Sequence, residues 1–502
     1  ERARPLAAGH LSFRPGLVAD LVLAGATARA VFDRPTSNFG ALRDDLGKAS
    51  PRPERLDVRA ALDAAARLLS GGEGGAPGRR ELVILSDFQR TNWATADFGV
   101  LPRETAVRLE FVGAAETPPN LAVLRVGGSG RAEQGRPLTL EVDVGNFSTA
   151  ARKVEAELSL ADAVYRLEGL CAAGSRTTLS TEVVPRAVGW QEGRVRLVDG
   201  ADSLAGDDAR SFAIDVRPPP VFALLTRQPR DLRPSSSYYL ERALIPAESR
   251  DDRPAPRVVR CDPAVEDREA LAAADLVVID HPGRLPEETL ALLAGRLRRG
   301  RGLLDVVADP ADAANLKRLA DLAGADLRLP VEFAPAPSGQ SRASRFISDF
   351  RRDAPPFQVF GDAATAVVAP LRFSGGLASR PLPDGLADDV RAGFGDRGAF
   401  LVVSACGAGT IAILNADLGA SNLPASPAFV PMIGELTALL LGSRSVEEPV
   451  APGEPFALVM PADAGPPSGL AVVPESPTVE LVEGSEGLRV RSAAAGPPGV
   501  VR

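Results

Sequence analysis

A short apolar run, ELVILS at positions 81–86, is followed directly by Asp87. Apolar runs of this length are typical of strands buried on both faces of a parallel sheet, whose carboxyl edge is where open α/β sheets bind ligands. The run therefore predicts an α/β unit with a carboxylate at its ligand-binding edge. The alternative is that Asp87 only caps the turn made by Gln89 and Arg90.

The surrounding residues 1–116 also follow an α/β pattern. Two extended runs, 18–25 and 27–34, are joined by a glycine and predict a hairpin. Asp57 stands where a helix N-cap is expected, before apolar residues at helical spacing. These residues are Val58, Ala61, Leu62, Ala65, Leu68 and Leu69.

Residues 117–218 change to strict alternation of apolar and polar side chains, as in LTLEVDVGNF and KVEAELSLA. Short alternating segments separated by turn residues predict an all-β, immunoglobulin-like sandwich. Three prolines at 218–220 then form a stiff linker. The sequence thus predicts a second domain of a different class from the first.

The α/β pattern returns over residues 219–445. Strand-like runs such as DLVVID and GLLDVVA alternate with helical segments. One helix has Glu287 and Glu288 in its first turn and arginines in its last turn, which complements the helix dipole. Those arginines, Arg296, Arg298 and Arg299, thereby have a structural role. Residues 446–502 contain only short strands between Pro and Gly clusters and predict part of a small β domain.

Composition excludes several classes of function. The net charge is −8 with no dense basic run, which argues against binding to nucleic acid. The three cysteines lie far apart, so neither a zinc site nor a disulfide framework is indicated. No run of 18 apolar residues, the length that a membrane-spanning helix needs, occurs in the sequence. The most apolar stretch, 429–442, is shorter and contains Glu435. The sequence begins at Glu1 rather than Met, which leaves open an upstream anchor or leader.

Few residues are suited to catalysis. The chain has only His10 and His281 as histidines, and His281 follows the strand DLVVID, where it is either an edge residue or an ordinary turn residue before Pro282. Cys406, in SACGAG, lacks the strand–turn–helix context of a nucleophile elbow and is predicted to be a buried apolar side chain. An enzyme of hydrolase or amidotransferase type centred on 221–440, using His281 or Cys406, remains an alternative. A sugar-binding module using Trp190 of the sandwich is another.

The segment ELVILSD, with the helix and hairpin before it, resembles the later half of a von Willebrand factor A-type domain, an α/β, Rossmann-like fold. The resemblance implies that Asp87 is a metal ligand, because the family has an Asp after its fourth strand. The family's Asp-x-Ser-x-Ser loop is not in this chain, and Leu56 stands where a Thr is usual. The implied site at Asp87 is incomplete, so we predict no cofactor unless an upstream loop supplies further ligands for Mg²⁺.

Residues 221–325 resemble the class I glutamine amidotransferase-like fold, but the strand GLLDVVADP (302–310) does not end in the nucleophilic Cys of that family. The order of the domains, with ILSDFQRTNW and SNLPASPAFVP, resembles the BatA-type membrane proteins of bacteria. That resemblance implies a non-catalytic scaffold of the bacterial cell envelope, anchored through an upstream segment. It also implies protein partners, among them a MoxR-type AAA ATPase system.

Overall fold

A computed structural model describes most of the chain, with the outer limits Arg2 and Ser492. The described residues are 2–52, 54–70, 79–114, 118–198, 202, 204–245, 255–265, 267–335, 344–383, 385–442, 446, 456–459, 479–484 and 487–492. Within them the chain is a mixed α/β structure with several separate sheets. The glycine-rich loop 71–78 lies outside the described residues.

The N-terminal region contains short helices and two small sheets. Its elements are α1 (Ala3–His10), β1 (Val22–Ala24), β2 (Ala28–Ala30), α2 (Phe39–Lys48), α3 (Val58–Ser70), β3 (Glu81–Ser86), α4 (Arg90–Trp93) and β4 (Ala106–Phe111). The predicted hairpin is confirmed, because β1 and β2 pair antiparallel. The predicted N-cap is confirmed as well, because Asp57 accepts a hydrogen bond from the backbone N–H of Ala60 at 2.9 Å.

Strands β3 and β4 form a parallel, two-stranded sheet in the described structure. A small hydrophobic core packs against β3 through Leu85. Its main residues are Phe39, Leu42 and Leu46 of α2. The apolar side chains of β3 are only half-buried, although the sequence predicts a strand covered on both faces. The prediction of a fully buried strand is therefore wrong for this structure, because β4 is its only described neighbour in the sheet.

The central region is a β-sandwich, as the alternating pattern predicts. Its strands are β5 (Leu121–Ser129), β6 (Leu138–Asn146), β7 (Arg152–Leu160), β8 (Ala163–Cys171), β9 (Arg176–Val183), β10 (Gly189–Leu197) and β11 (Ala209–Val216). One sheet has the order β5-β6-β9, the other has the order β11-β10-β7-β8, and all pairs are antiparallel. Alternate side chains of each strand fill one shared core.

The third region is built on one large mixed sheet. Its first part contains β12 (Val221–Leu225), α5 (Ser236–Leu244), β13 (Arg257–Cys261), α6 (Arg268–Ala273), β14 (Leu276–Asp280), α7 (Glu287–Arg298), β15 (Gly302–Val306) and α8 (Pro310–Ala323). Its second part contains β16 (Val331–Ala334), β17 (Ile347–Phe350), α9 (Ala364–Val368), β18 (Ala378–Pro381), β19 (Val390–Phe394), β20 (Ala399–Cys406), β21 (Gly409–Leu414) and α10 (Phe429–Leu441).

The large sheet has the strand order β13-β12-β14-β15-β21-β20-β19-β17. The first five strands are parallel, and β20, β19 and β17 continue the sheet antiparallel. Both faces are buried, with α5 and α10 covering one core and α7 and α8 the other. Helix α8 begins at Pro310, where Asp309 and Asp312 form a capping box.

Beyond this sheet, three further strands are described, β22 (Phe456–Val459), β23 (Val479–Gly484) and β24 (Gly487–Ser492). They pair antiparallel in the order β22-β24-β23, so the short strands predicted in this tail are confirmed. Across the described ranges, no helix combines the length and the apolar character that a membrane span requires.

Candidate functional site

The candidate site lies at the carboxyl edge of the large sheet, where the winding of the chain reverses. From β12 the chain passes to β13 on one side and then crosses to β14 on the other. The crevice between the ends of two such strands is where open α/β sheets bind ligands. His281 follows β14 at this crevice. The amino end of α5 lies beside the end of β14, because Ser236 of α5 donates a hydrogen bond to Asp280.

A single buried carboxylate organises this edge. Asp280, the last residue of β14, is fully buried. Its Oδ1 accepts a hydrogen bond from the hydroxyl of Ser236 at 2.6 Å and lies 2.9 Å from Nδ1 of His281. Its Oδ2 is buried without a hydrogen-bond partner in the part of the chain that the structure describes. Asp280 thus joins the two elements that flank the crevice.

His281 has an unusual backbone and an altered acidity. Its φ is +47°, which turns the chain sharply after β14, and its side chain is 19% exposed. The hydrogen bond with Asp280 is the main cause that raises the pKa of His281 to about 9, while burial opposes it and Asp309 and Asp417 add to it. At neutral pH the ring is therefore an imidazolium, which donates from both nitrogens. This edge can offer the Nε2–H to a carbonyl or carboxylate oxygen.

Two further acids lie close to this cluster. Burial raises the pKa of Asp305 in β15 well above its ordinary value, and Asp312 and Asp280 reinforce the effect. Burial also raises the pKa of Asp312, whose Oδ2 accepts hydrogen bonds from the N–H groups of Ala308 and Asp309 at 2.9 and 2.8 Å. Asp305 therefore holds its proton to a higher pH than an ordinary aspartate.

The residue types Ser, His and Asp are present, but their arrangement differs from that of a hydrolytic triad. In a triad the hydroxyl donates to the imidazole, and the carboxylate orients the opposite ring nitrogen. Here the Ser236 hydroxyl donates to Asp280 instead of His281. The arrangement fixes the two flanking elements together and does not prepare Ser236 for nucleophilic attack.

The structure does not bring Cys406 to His281, whereas Cys261 ends β13 at the carboxyl edge of the parallel strands. Cys406 pairs with Gly409 at the start of β21, which is the amino edge of the parallel strands, whereas His281 is at the carboxyl edge. Burial raises the pKa of Cys406, and burial raises the pKa of Cys261 to about 11. Both side chains are buried thiols, as predicted for Cys406. His281 and Cys406 therefore lie at opposite edges of the sheet, and an enzyme that uses one or the other stays an alternative.

Asp87 lies directly after β3, as predicted, and is exposed. Within the described ranges it belongs to no group of three side chains that could ligate a metal. The turn that follows is held mainly by Ser86, whose hydroxyl accepts hydrogen bonds from Phe88 N and Trp93 Nε1 at 3.1 and 3.0 Å. The Gln89 N–H is 3.5 Å from Asp87, which is a weak cap at most. A metal at Asp87 stays a prediction.

The loop with Leu56 and the segment after β3 meet in the structure. Leu56 and Asp57 line one side of a cleft of about 650 Å³, and Thr91 and Asn92 line the other.

On the sandwich, Trp190 is 61% exposed and pairs across the strands with Asp215. No second aromatic ring contacts Trp190 among the described side chains, so the structure adds no stacking area to the sugar-binding alternative.

Sequence reasoning located His281 but not the groups that determine its chemistry. Ser236 is 44 residues from Asp280 along the chain, and Asp280 has the position of the last residue of an apolar strand. The strand-ending Asp-His pair was the available signal. Asp202, Asp207 and Asp208, which the structure places together on the sandwich, were also missed, because they stand in a short acidic loop without a recognised motif.

Comparisons with known proteins leave the family open. No protein-family model matches the chain, and no curated protein matches it. Among solved structures, the CARDB domain of the PF1109 protein from Pyrococcus furiosus, in complex with di-metal ions, is 13% identical, with a TM-score of 0.19 over 21% of this chain and 94% of that one. A cycloisomaltooligosaccharide glucanotransferase from Paenibacillus is 10% identical, with a TM-score of 0.18 over 46% of this chain and 57% of that one. Bacteroides uniformis beta-glucuronidase 2 is 12% identical, with a TM-score of 0.16 over 40% and 25%. TM-scores this low assign neither a fold nor an activity.

Proposed function

We propose that this chain is a non-catalytic protein-interaction scaffold of the bacterial cell envelope. The observation that carries the proposal is an exposed apolar stripe on β4. Val107, Leu109 and Phe111 alternate along the strand on one face and are 39%, 55% and 61% exposed. Contiguous exposed apolar side chains of this kind are typical of protein interfaces.

The opposite face of β4 is already occupied by the chain itself. Oε1 of Glu110 forms an ion pair with Nη2 of Arg108 at 2.8 Å. The same oxygen lies 3.0 Å from Nε2 of His10 in α1. One face of the strand is thus covered by a polar network, and the apolar face is open. Parallel sheets are normally covered on both faces, so the open face favours an occupant.

The occupant to which we commit is a polypeptide segment of a partner protein that packs on this stripe. Among the described strands only β3 pairs with β4, so the other edge of β4 can accept an added strand beside the apolar side chains, a combination that is poorly suited to a sugar or a nucleotide. The fixed Ser236–Asp280–His281 cluster and the buried thiols agree with a scaffold that performs no chemistry. The envelope location rests on the resemblance to BatA-type proteins.

Site-specific photocrosslinking in bacterial cells tests the proposal. The photoreactive residue p-benzoylphenylalanine would replace Leu109, and as a matched control Val265, an exposed apolar residue of the large-sheet region. We expect one protein adduct of defined mass from position 109, recovered with membranes, and its loss when Phe111→Glu is added. Equal adducts from position 265, or lipid as the only adduct at position 109, would contradict the proposal. A dimer of this chain as the only adduct would replace the partner by a second copy.

A further inference from the structure

Three aspartates meet in the loop between β10 and β11, at one end of the sandwich. One carboxylate oxygen from each of Asp202, Asp207 and Asp208 lies within 4.8 Å of the other two. Asp202 is held in place by a hydrogen bond, since its Oδ2 accepts from the backbone N–H of Leu121 at 2.7 Å. The side chain of Asp202 is only 2% exposed. These carboxylates are therefore packed together under partial burial instead of extending into water.

A buried amide adds an oxygen beside the cluster. Asn120 is 9% exposed, and its Nδ2 donates to Oδ2 of Asp207 at 3.0 Å, so the amide lies against the carboxylates. Its Oδ1 is buried and has no hydrogen-bond donor in the described structure, and the same holds for Oδ1 of Asp207 and Oδ1 of Asp208. The cluster and the amide hydrogen-bonded to it thus contain three buried oxygens that have no donor among the described residues. A buried acceptor without a partner is costly unless a cation satisfies it.

The charge at this point is also uncompensated. Arg152 is the nearby cation, with Nη1 3.9 Å from Oδ2 of Asp202. Three carboxylates and one guanidinium leave a formal charge of −2, which one divalent ion would neutralise. Burial raises the pKa of both Asp207 and Asp208, and repulsion from Asp202 adds to the effect.

We propose that Asp202, Asp207 and Asp208 bind one calcium ion, with Oδ1 of Asn120 as a further ligand. All donors are hard oxygens and neither a Cys nor a His belongs to the group, which disfavours zinc. Calcium accepts irregular sets of oxygens at about 2.3–2.6 Å, so oxygens that all lie within 4.8 Å of one another can reach one ion. Magnesium demands a more regular octahedron at shorter distances.

The ion would tie the β10–β11 loop to the start of the sandwich. Asp202 and Asp207 contact Leu121 and Asn120 at the beginning of β5, and the backbone oxygen of Asp207 accepts from Val123 at 2.9 Å. Calcium binding would therefore stabilise the end of the sandwich where the chain enters from the N-terminal region. This role is structural, and it is independent of the proposed contact surface on β4.

Isothermal titration calorimetry of the chelator-treated full chain with CaCl₂, together with thermal unfolding, tests this inference. We expect one site per chain, a higher melting temperature with calcium, and an affinity at least about tenfold weaker in Asp207→Asn/Asp208→Asn. The control Asp162→Asn makes a similar charge change at an exposed turn of the same sandwich and should bind as the wild type does.

Two further measurements decide the remaining outcomes. If circular dichroism shows that the double variant is unfolded, Asp208→Asn alone and equilibrium dialysis of the wild type with radioactive calcium replace it. No binding by the folded wild type up to about 10 mM CaCl₂, beyond the range of weak extracellular calcium sites, would overturn the inference. Unchanged binding in the variants, or tighter binding of Mg²⁺ than of Ca²⁺, would overturn it as well.

Discussion

His281 illustrates how one contact sets the charge of a residue at the candidate site. A neutral imidazole would lose most of its attraction to Asp280, whereas the imidazolium forms a charge-assisted hydrogen bond with it at 2.9 Å. The surrounding burial opposes the charge but does not outweigh this bond, so the pKa of His281 is about 9. The result is a fixed positive charge at the crevice of the large sheet over the whole neutral range.

The first prediction is that His281 titrates near pH 9 and that Asp280 is the cause. The chain has only two histidines, so NMR of the imidazole C–H groups resolves both, and His281→Asn assigns them. In Asp280→Asn the pKa of His281 should fall below its ordinary value of 6.5, because burial then acts without the carboxylate. A midpoint near 6.5 in the wild type would contradict the assignment.

This pKa also has a consequence for stability. A folded-state pKa raised from 6.5 to about 9 stabilises the fold fully below pH 6.5, and the effect is lost as pH rises through 9. The shift corresponds to at most about 3 kcal/mol, because solvent at the partly exposed ring screens part of the interaction. His281→Asn should therefore lower the free energy of unfolding markedly at pH 6 and much less at pH 10, as measured by denaturant unfolding. An equal loss at both pH values would show that the pair with Asp280 is not responsible.

Sequence alone predicts the position of such a residue better than its chemistry. The apolar run DLVVID indicates a buried strand, and a residue after it must lie near the carboxyl edge of the sheet. The pKa of His281 depends on an oxygen of Asp280 whose rotamer is fixed by Ser236 from another element. No local pattern contains that information, because it arises only when α5 packs against the sheet.

At the level of elements, the contact between α10 and β15 leaves no room for a side chain on the strand. A Cβ at Gly302 would lie 2.3 Å from the backbone oxygen of Leu440 and 2.8 Å from its Cβ. Gly434, in the same helix, has open space around the position of a Cβ. Close packing of α10 thus requires a glycine at position 302, whereas the surroundings of Gly434 would accept a side chain.

The second prediction compares these glycines by thermal unfolding. Gly302→Ala should destabilise the large-sheet region by about 2 kcal/mol or more, because the obstructing atom is backbone and α10 must move. Gly434→Ala is the matched control and should stabilise the helix by about 0.5–1 kcal/mol, since alanine is the better helix former. A neutral Gly302→Ala would mean that α10 packs less closely on β15 than the structure indicates.

The elements that the sequence predicts poorly are those fixed by distant polar contacts. Residues 330–400 show a weak, proline-rich pattern, yet β17 and β19 extend the large sheet there, with irregular register. The guanidinium of Arg345 lies 3.5 Å from the ring centre of Phe394, and buried Asn415 bonds to the backbone of Leu377. Contacts of this kind hold these strands in place, so the sequence shows no regular spacing of apolar residues there. By contrast, the sandwich strands and α7 follow local periodicity and are predicted well.

At the level of the whole molecule, one aspartate connects the sandwich to the large sheet across the proline linker. Asp275 accepts a hydrogen bond from the N–H of Val221 at 2.9 Å, and its Oδ1 lies 3.3 Å from Arg301 and 3.8 Å from Arg131 of the sandwich. Arg131 also donates to the backbone oxygen of Pro218 at 3.3 Å. Burial lowers the pKa of Arg131, and Asp275 opposes that effect. The two regions are therefore joined by more than the covalent linker.

The third prediction is that removing this charge weakens the coupling between the two regions. In Asp275→Asn the repulsion between Arg131 and Arg301 is no longer offset by the carboxylate of Asp275, and Glu133, 3.8 Å from Arg131, stays as its acidic partner. Both partners are largely buried, and we expect a coupling energy of about 1–3 kcal/mol between positions 131 and 275 in a double-mutant cycle with Arg131→Gln.

Differential scanning calorimetry should show the unfolding transitions of the two regions moving apart in Asp275→Asn. The exposed control Asp321→Asn in α8 makes the same charge change and should leave their separation as in the wild type. A coupling energy near zero would mean that the contact between Asp275 and Arg131 does not hold the sandwich against the sheet, and this contact would then be incidental to the arrangement of the molecule.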